Sequence, residues 1–318
     1  MADLAEVEAF LSQPGALYDV RSPLEYTHAH IPGARPLPLF SDEERAIVGT
    51  IYKKEGKNKA VIKGLELVSC KFSLFAKEAH ATSDPIKVYC FRGGMRSQAV
   101  AWLFGLVDKK PALLPGGYKA FRRFVQAQLK RSWNFQILGG LTGSGKTAQL
   151  HRFLHEGQQV LDLEKIASHR GSAFGSIGQA AQPSNEAFEN VIAMELVKMD
   201  PQKPIWLEDE SRMIGTCKIP DNLFHLMQSA PHYYLDKPFD ERMSHLISEY
   251  GAFPVELLIE ATEKIARKLG GQRTKETVQL LQNGDIESAF KLLLEYYDSS
   301  YIYNMKKRGT SWTTFSAS

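Results

Sequence analysis

Short apolar runs and amphipathic helical patterns alternate along the first part of the chain. Residues 16–20 and 86–89 are mainly apolar segments of strand length, interrupted by Asp19 and Lys87, and we predict them as short buried strands. Around them, apolar residues recur at the three- and four-residue spacing of helices, first over residues 4–11 and last over residues 119–130. Strands separated by helices indicate an α/β fold.

The second part of the chain shows the same alternation and then becomes helical. The predicted strands cover residues 134–138, 159–163, 204–210 and 232–236. From about residue 240 the apolar spacing is that of a packed helical bundle, with helices predicted over residues 241–250, 254–269, 274–281 and 286–297.

The length of the chain, 318 residues, leaves room for two ordinary domains. We predict a first domain over residues 1–131 and a second over residues 132–318, helical from about residue 240. Residues 39–80 form an insert within the first domain, and an addition of this length usually carries partner or substrate contacts.

Composition excludes several classes of protein. Hydrophobic residues make up 43% and charged residues 24%, so no large part of the chain needs to be disordered. The sequence has no run of about 18 apolar residues and no N-terminal signal pattern, so we expect a soluble, cytoplasmic protein without a membrane partner. Three cysteines, Cys70, Cys90 and Cys217, are too few and too scattered for a disulfide framework or a cysteine-based metal site.

Charge is distributed unevenly between the two predicted domains. Residues 1–130 carry 19 lysines and arginines against 13 acidic residues, whereas residues 131–318 carry 20 against 23. The N-terminal domain is therefore the better candidate for contact with a polyanion, although a lysine-rich segment is more often a solvated face. No pattern specifies an oligomeric state.

The most reactive group that the sequence suggests is Cys90, in a glycine-rich loop between the strand at residues 86–89 and a helix that Ser97 is expected to cap. Helix N–H groups, together with Arg92 and Arg96, would favour an anion in this loop and lower the pKa of the thiol. We therefore predict Cys90, Arg92 and Arg96 as catalytic residues. The alternative is that Cys90 is a small buried hydrophobic residue, which is the interpretation we give to Cys70.

A second candidate site follows the strand at residues 134–138. The segment 140–147, Gly-Leu-Thr-Gly-Ser-Gly-Lys-Thr, matches the Walker A pattern of a phosphate-binding loop in the strand-then-helix context that the motif requires. Its backbone N–H groups can surround a phosphate, the lysine can reach terminal phosphate oxygens, and the threonine can hold Mg²⁺. The predicted binding residues are Gly140, Gly143, Ser144, Gly145, Lys146 and Thr147.

Acidic residues end a later predicted strand, as in a Walker B pattern. Glu208, Asp209 and Glu210 are therefore candidates for the Mg²⁺ side of the phosphate site, and we select Asp209. Arg170 lies in a glycine-bearing segment after another strand, where α/β sheets bind ligands, and we add it to the binding residues. Mg²⁺ is compatible with this loop, and no tightly bound cofactor or dedicated protein metal site is predicted.

Residues 1–131 resemble a rhodanese domain. The resemblance rests on a strand ending Asp19-Val-Arg, then Glu25-Tyr, then His30-Ile-Pro-Gly-Ala, and later a strand that ends in Cys90. The family implies an α/β fold in which the loop cysteine carries a transferable sulfur or selenium atom. Here Phe91 follows the cysteine, where rhodaneses commonly have arginine, and the second arginine comes one position later, so the loop is roomier.

An N-terminal rhodanese-like domain followed by a P-loop NTPase-like domain with a helical C-terminal region resembles the tRNA 2-selenouridine synthases along the whole chain. The resemblance includes residues 43–52, 162–175, 182–184 and 208–212. It implies that the sulfur of a wobble 2-thiouridine, at tRNA position 34, is replaced by selenium from selenophosphate through an S-geranyl intermediate made with geranyl diphosphate. It further implies that Cys90 carries selenium as an S–Se⁻ adduct and that the P-loop holds the diphosphate.

Two other functions remain compatible with the residues. The Cys-x5-Arg spacing of Cys90 and Arg96 is that of cysteine-dependent phosphatases, although Tyr89 stands where those enzymes usually place histidine. A sulfurtransferase coupled to a nucleotide-binding domain would use the same pair of sites. A regulatory or tRNA-binding protein with a degenerate rhodanese part is a third alternative, which the intact Cys90 disfavours.

Overall fold

The computed structural model describes residues 3–309 and 311–315 of the chain. It divides into two compact units, one formed by Met1–Gln128 with Glu189–Met194 and the other by Leu129–Phe188 with Glu195–Ser318. The assignment of Glu189–Met194 to the first unit has no counterpart in the sequence analysis, because it depends on contacts between residues far apart in the chain.

The first part of the chain forms a small parallel sheet with helices around it. The sheet has the strand order β2-β1-β3-β4, and every pairing in it is parallel. The elements are α1 (Leu4–Ser12), β1 (Ala16–Asp19), α2 (Pro23–His28), β2 (Arg35–Pro36), α3 (Asp42–Lys54), α4 (Lys57–Val68), a 3₁₀ turn (Ser69–Lys71), α5 (Phe72–Ala81), β3 (Ile86–Tyr89), α6 (Met95–Gly105), β4 (Ala112–Leu113) and α7 (Gly117–Lys130).

The predicted α/β fold is confirmed in this unit. The two central strands, β1 and β3, are paired from Ala16 opposite Ile86 to Asp19 opposite Tyr89. All four residues of β3 are buried, including Lys87, whose ammonium group donates to the carbonyls of Phe10 and Gln13. The core on the faces of the sheet contains fully buried aromatic side chains such as Phe75 and Phe104.

The predicted insert, residues 39–80, consists mainly of α3, α4 and α5. A capping box between Ser41 and Glu44 starts α3, and Lys71 forms an ion pair with Glu44. Cys70 does not lie in the core, as the sequence analysis expected. It is exposed, because the 3₁₀ turn interrupts the helical stripe on which that prediction was based.

The second part of the chain builds a larger parallel sheet and a helical region. The sheet has the strand order β11-β10-β5-β7-β6. The elements are β5 (Phe135–Gly139), α8 (Lys146–His155), β6 (Gln159–Val160), α9 (Leu163–Ala167), α10 (Asn185–Val197), β7 (Ile205–Glu208), the hairpin strands β8 (Met213–Ile214) and β9 (Cys217–Lys218), α11 (Asp221–Ser229), β10 (His232–Leu235), α12 (Phe239–Tyr250), α13 (Val255–Lys264), α14 (Ala266–Leu269), α15 (Gly271–Gln282), α16 (Ile286–Arg308) and β11 (Trp312–Phe315).

This unit differs from the sequence analysis in several places, among them a division of the helix predicted over residues 254–269 into α13 and α14 at Ile265. The strand predicted at 159–163 ends at Val160, because Asp162 caps α9 and turns the chain into a helix. The last helix continues to Arg308 and ends at Gly309 in a left-handed conformation, well past the predicted end at residue 297. The final strand, β11, was not predicted, because its residues are only partly buried and give little apolar signal.

The helical region beyond residue 240 packs as the sequence predicts. Its core includes the buried side chains of Leu258, Leu281, Phe290 and Leu294. Among the residues that the structure describes, no helix is both long enough and apolar enough to cross a membrane.

Candidate functional site

Cys90 lies directly after β3, at the start of the loop that leads into α6. Its thiol is buried, and its Sγ lies 3.2 Å from the hydroxyl oxygen of Ser97. Gly94, and not Ser97, is the N-cap of α6, so the predicted cap was wrong. Ser97 lies in the first helical turn instead, where its hydroxyl is shared between the Cys90 sulfur and the Gly94 carbonyl oxygen at 3.0 Å.

The surroundings of Cys90 favour its thiolate. Burial raises the pKa of the thiol, but hydrogen bonds from the Ser97 hydroxyl and from the N–H groups of Ser97 and Arg92, with the charge of Arg96, lower the pKa below its ordinary value. Because the Ser97 hydroxyl has one hydrogen, it can donate to Gly94 while Cys90 is a thiol and turn to the sulfur once a thiolate forms.

The loop is held by the Gly116-Gly117 turn and the first residues of α7. The N–H groups of Tyr118 and Lys119 donate to the carbonyls of Cys90 and Phe91, both at 2.9 Å. A Cβ atom on Gly117 would lie 2.3 Å from the Cys90 carbonyl oxygen, so only glycine fits at this position. The Gly-Gly turn therefore fixes the backbone on which the thiolate depends.

The two predicted arginines have different environments. Arg92 is exposed and lies against the ring of Phe91, with 5.9 Å between its guanidinium carbon and the ring centre. Arg96 donates to Glu25 at 2.8 Å, and Arg45 contacts the same carboxylate at 2.9 Å. Burial opposes ionisation of Glu25, but hydrogen bonding and charge from Arg96 lower its pKa to about 2. An anion that binds Arg96 therefore competes with Glu25.

Tyr89, at the position where cysteine-dependent phosphatases usually have histidine, has a hydroxyl that is fully engaged in the core. Its hydroxyl donates to Asp19 at 2.7 Å and accepts from the N–H of Ile31 at 3.1 Å, within the core. Asp19 also accepts from the backbone and guanidinium of Arg21. Burial and the charge of Asp19 raise the pKa of Tyr89 well above its ordinary value.

The phosphate-binding loop lies between β5 and α8, with Gly145 as the helix N-cap. Lys146 Nζ donates to the Gly140 carbonyl at 3.1 Å, so its side chain folds back over the loop. A Cβ on Gly143 would lie 2.7 Å from the carbonyl oxygen of Arg242, which explains a glycine there. The Ser144 hydroxyl is buried without a hydrogen-bond partner in the part of the chain that the structure describes.

Three carboxylates converge beside the loop. One oxygen atom from each of Glu164, Glu208 and Glu210 lies within 4.8 Å of the others, and Thr147 donates to Glu208 at 2.7 Å. Burial and the charge of Glu208 raise the pKa of Glu164 to about 8, and burial also raises the pKa values of Glu208 and Glu210. This set of oxygen donors fits a hard divalent cation such as Mg²⁺, which would compensate their charge.

Asp209 is directed away from this cluster. Successive side chains point to opposite sides at the end of β7. Glu208 and Glu210 therefore point to one side, and Asp209 points to the other. Its carboxylate accepts two hydrogen bonds from Arg308, at 2.6 and 2.7 Å, and one from Tyr301 at 2.9 Å. The Tyr301 oxygen accepts from the N–H of Gly140 at 3.1 Å, so Asp209 connects α16 to the beginning of the phosphate loop.

A cavity of about 720 Å³ contains these groups. Its cationic lining includes Arg170, predicted from the sequence, and Arg212, Lys307 and Arg308, which were not. Arg170 contacts Glu249 at 3.3 Å, and its buried Nη1 has no hydrogen-bond partner among the described residues. The cavity therefore combines a loop for phosphate, acids for a cation and cations for further anionic groups.

Sequence reasoning missed Ser97 as a partner of Cys90 and Glu164 as a member of the acidic cluster. Ser97 was named as a helix cap, and Glu164 begins the segment in which Arg170 was selected. A polar residue buried in the first turn of a helix is the signal that could have identified Ser97.

Comparison with known proteins gives matches over both units. Residues 133–317 match the model of the tRNA 2-selenouridine synthase AAA domain, and residues 3–124 match the rhodanese-like domain. A protein of Pseudomonas fluorescens Pf-5 called tRNA 2-selenouridine synthase is 36% identical, over 92% of this chain and 89% of its own. Proteins of the same name from Marinobacter nauticus and Nitrosomonas europaea are 35% and 33% identical, over the same shares of each chain.

Replacing Ser97 with alanine should raise the pKa of Cys90, because the thiolate loses a hydrogen-bond donor. At neutral pH the thiolate fraction would fall, and alkylation of Cys90 should slow by about tenfold. The measurement is iodoacetamide labelling across a pH series, followed by peptide mass spectrometry. Exposed Cys70 in the same molecule is the control, and an unchanged Cys90 profile would contradict the role given to Ser97.

Replacing Tyr301 with phenylalanine should lower the free energy of unfolding by about 1–3 kcal/mol, because Asp209 and the Gly140 N–H each lose a partner. Binding of Mg²⁺–diphosphate should weaken as well. Urea denaturation and calorimetric titration measure the two effects. Tyr303→Phe is the matched control on the same helix, since that side chain is 66% exposed. Equal unfolding free energies and equal affinities in the two variants would show that Tyr301 does not connect Asp209 to the phosphate loop.

Proposed function

The chain belongs to the tRNA 2-selenouridine synthase family, and we propose that it replaces the sulfur of a wobble 2-thiouridine with selenium from selenophosphate by way of an S-geranyl intermediate. The observation that carries the proposal is a cysteine held for thiolate formation on the same chain as a phosphate-binding loop with an acidic cluster. The cysteine suits group transfer to or from sulfur, and the phosphate-binding loop with its acidic cluster suits a diphosphate substrate.

The phosphate-binding unit would perform the first step. The sulfur on C2 of the uridine attacks the first carbon of geranyl diphosphate, an S–C bond forms, and the C–O bond to diphosphate breaks. Lys146 and the loop N–H groups would stabilise the charge that develops on the leaving diphosphate. Glu164, Glu208 and Glu210 would hold Mg²⁺, which neutralises diphosphate charge when bound.

Alkylation prepares the uridine for the second step. A bare C2 sulfur is a poor leaving group, whereas an alkylated sulfur departs as a thiolate. In this proposal the Cys90 thiolate attacks the selenium of selenophosphate, an S–Se bond forms as the Se–P bond breaks, and the electron pair leaves with phosphorus as phosphite. The terminal selenide then attacks C2 and expels geranyl thiolate. An external thiol attacks the Cys90 sulfur, so that a disulfide forms as the S–Se bond breaks and selenium stays on C2, and a second thiol reduces that disulfide and restores Cys90.

The environment of Cys90 suits this sequence better than phosphate ester hydrolysis. The nearby Tyr89 hydroxyl is committed to Asp19, and Arg96 is paired with Glu25. A phosphatase needs a general acid for its leaving group. The thiolate itself needs only the hydrogen bonds that Ser97 and the loop N–H groups provide.

Cys90→Ala should abolish selenium incorporation while S-geranyl tRNA accumulates, because only the second step uses the thiolate. The assay incubates 2-thiouridine tRNA with selenophosphate, geranyl diphosphate, Mg²⁺ and a thiol, and identifies nucleosides by mass spectrometry. Cys70→Ala, which removes an exposed thiol, is the control and should behave as wild type. Unchanged tRNA with the wild-type protein would refute the assignment. Phosphate rather than phosphite as the phosphorus product would refute the Cys90 adduct.

Lys146→Ala should slow formation of S-geranyl tRNA by about a hundredfold, because the leaving diphosphate loses a positive charge. The first step is measured alone by leaving out selenophosphate. Lys198→Ala is the control in the same unit, since that side chain is 64% exposed. A normal geranylation rate in Lys146→Ala would show that the loop does not hold the diphosphate.

A further inference from the structure

The helical insert of the first unit and α6 enclose an apolar groove that the steps above leave unused. Its cavity volume is about 710 Å³, within the usual range for small-molecule sites. We propose that this groove binds the ten-carbon prenyl group of the S-geranyl uridine while the Cys90 loop acts on C2. This inference rests on the proposed function and concerns the second step alone.

The lining of the groove is apolar and in part solvent-exposed. Leu65 on α4 is 55% exposed and Trp102 on α6 is 58% exposed, an unusual position for large apolar side chains that share one surface. Buried Phe40 and Leu103 also line the groove, where Ala60 has a small side chain and Gly64 has none. A flexible hydrocarbon chain would cover these side chains and remove them from water.

The position of the groove connects it to the reactive cysteine. Its wall includes Met95, Arg96 and Ala99 of α6. The first turn of the same helix carries Ser97, whose hydroxyl lies 3.2 Å from Cys90 Sγ. One rigid helix therefore bears both the groove wall and a direct partner of the thiolate. A prenyl group in the groove would be joined to a base beside this loop.

Charge at the edge of the groove favours a prenyl group carried by a nucleic acid over a purely apolar occupant. The lining includes the cationic side chains of Arg45, Lys53 and Arg96. Arg45 is 50% exposed although it contacts Glu25, and Lys53 is also exposed. Cations around an apolar cavity complement a ligand with a hydrocarbon group and neighbouring phosphates.

The test bypasses the first step and varies only the alkyl group. Synthetic anticodon stem-loops with S-methyl- or S-geranyl-2-thiouridine are incubated with the full chain, selenophosphate and a thiol. Both substrates release an alkyl thiolate, so they differ chiefly in apolar surface. Because each buried methylene contributes up to about fourfold, wild-type kcat/KM should be at least about tenfold higher for the S-geranyl substrate.

Leu65→Asp should reduce the S-geranyl to S-methyl ratio by about tenfold, because a charge in the groove opposes burial of hydrocarbon. Trp102→Ala should reduce the ratio in the same direction. Ile62→Asp is the matched control, since Ile62 lies on the same helix, is 59% exposed and is not part of the groove lining. Circular dichroism and thermal melting confirm that the exposed-site variants fold.

The outcomes separate this inference from the function on which it rests. If wild type converts neither RNA, the proposed function fails. The groove can still be tested by anisotropy titration, which shows whether S-geranyl RNA binds more tightly than S-methyl RNA. Leu65→Asp should remove that difference in affinity. Conversion with an unchanged ratio in Leu65→Asp overturns the groove assignment. An unchanged ratio together with loss of self-association in Leu65→Asp would identify a second copy of the chain as the occupant and also overturn it.

Discussion

Both candidate sites depend on one constraint of helical backbone: the first N–H groups of a helix have no carbonyl partner within it. A parallel strand that ends at the carboxyl edge of a sheet leads into such a helix, so these N–H groups lie where ligands bind. Strand β3 leads to α6 through the Cys90 loop, and β5 leads to α8 through the phosphate-binding loop. The same local geometry favours a thiolate in one unit and a phosphate in the other.

Charge is balanced differently around the two loops. At Cys90, burial raises the pKa of the thiol, and hydrogen bonds with the charge of Arg96 lower it again by more. The thiolate is therefore stabilised by groups of the protein itself. At the phosphate loop, burial raises the carboxyl pKa values and disfavours the charged cluster. When the pKa of a carboxyl is higher in the folded protein than in the unfolded chain, the free energy of unfolding falls as pH rises from the unfolded pKa to the folded pKa. For Glu164 that loss begins near the ordinary pKa of 4.5 and is complete at about pH 8, and a bound cation would offset it.

The features that could be predicted from sequence are those fixed by neighbouring residues. The phosphate loop from Gly140 to Thr147, the Cys90 loop and most strands lie within short segments whose spacing defines them. Glu164 and the Arg96–Glu25 pair could not be predicted, because tertiary packing brings their partners together. The sequence named Glu208, Asp209 and Glu210 together but could not show which of them converge, since it is the folded strand that directs Asp209 to Arg308. Helical periodicity likewise placed Cys70 in a core that a 3₁₀ turn prevents it from reaching.

Under the proposed function, the apolar groove would give a physical reason for a long alkyl group on the uridine sulfur. Alkylation turns the C2 sulfur into a leaving group, and for that chemistry a methyl group would serve as well as a ten-carbon chain. The additional carbons can contribute only through binding, and binding energy from a part of the substrate that does not react can position the part that does. Trp102 and Leu65 offer apolar surface for such binding, and Arg96 and Ser97 on α6 relate it to the thiolate. In the proposed reaction the insert would orient C2 for attack, and the selenium carried by Cys90 would be the attacking atom.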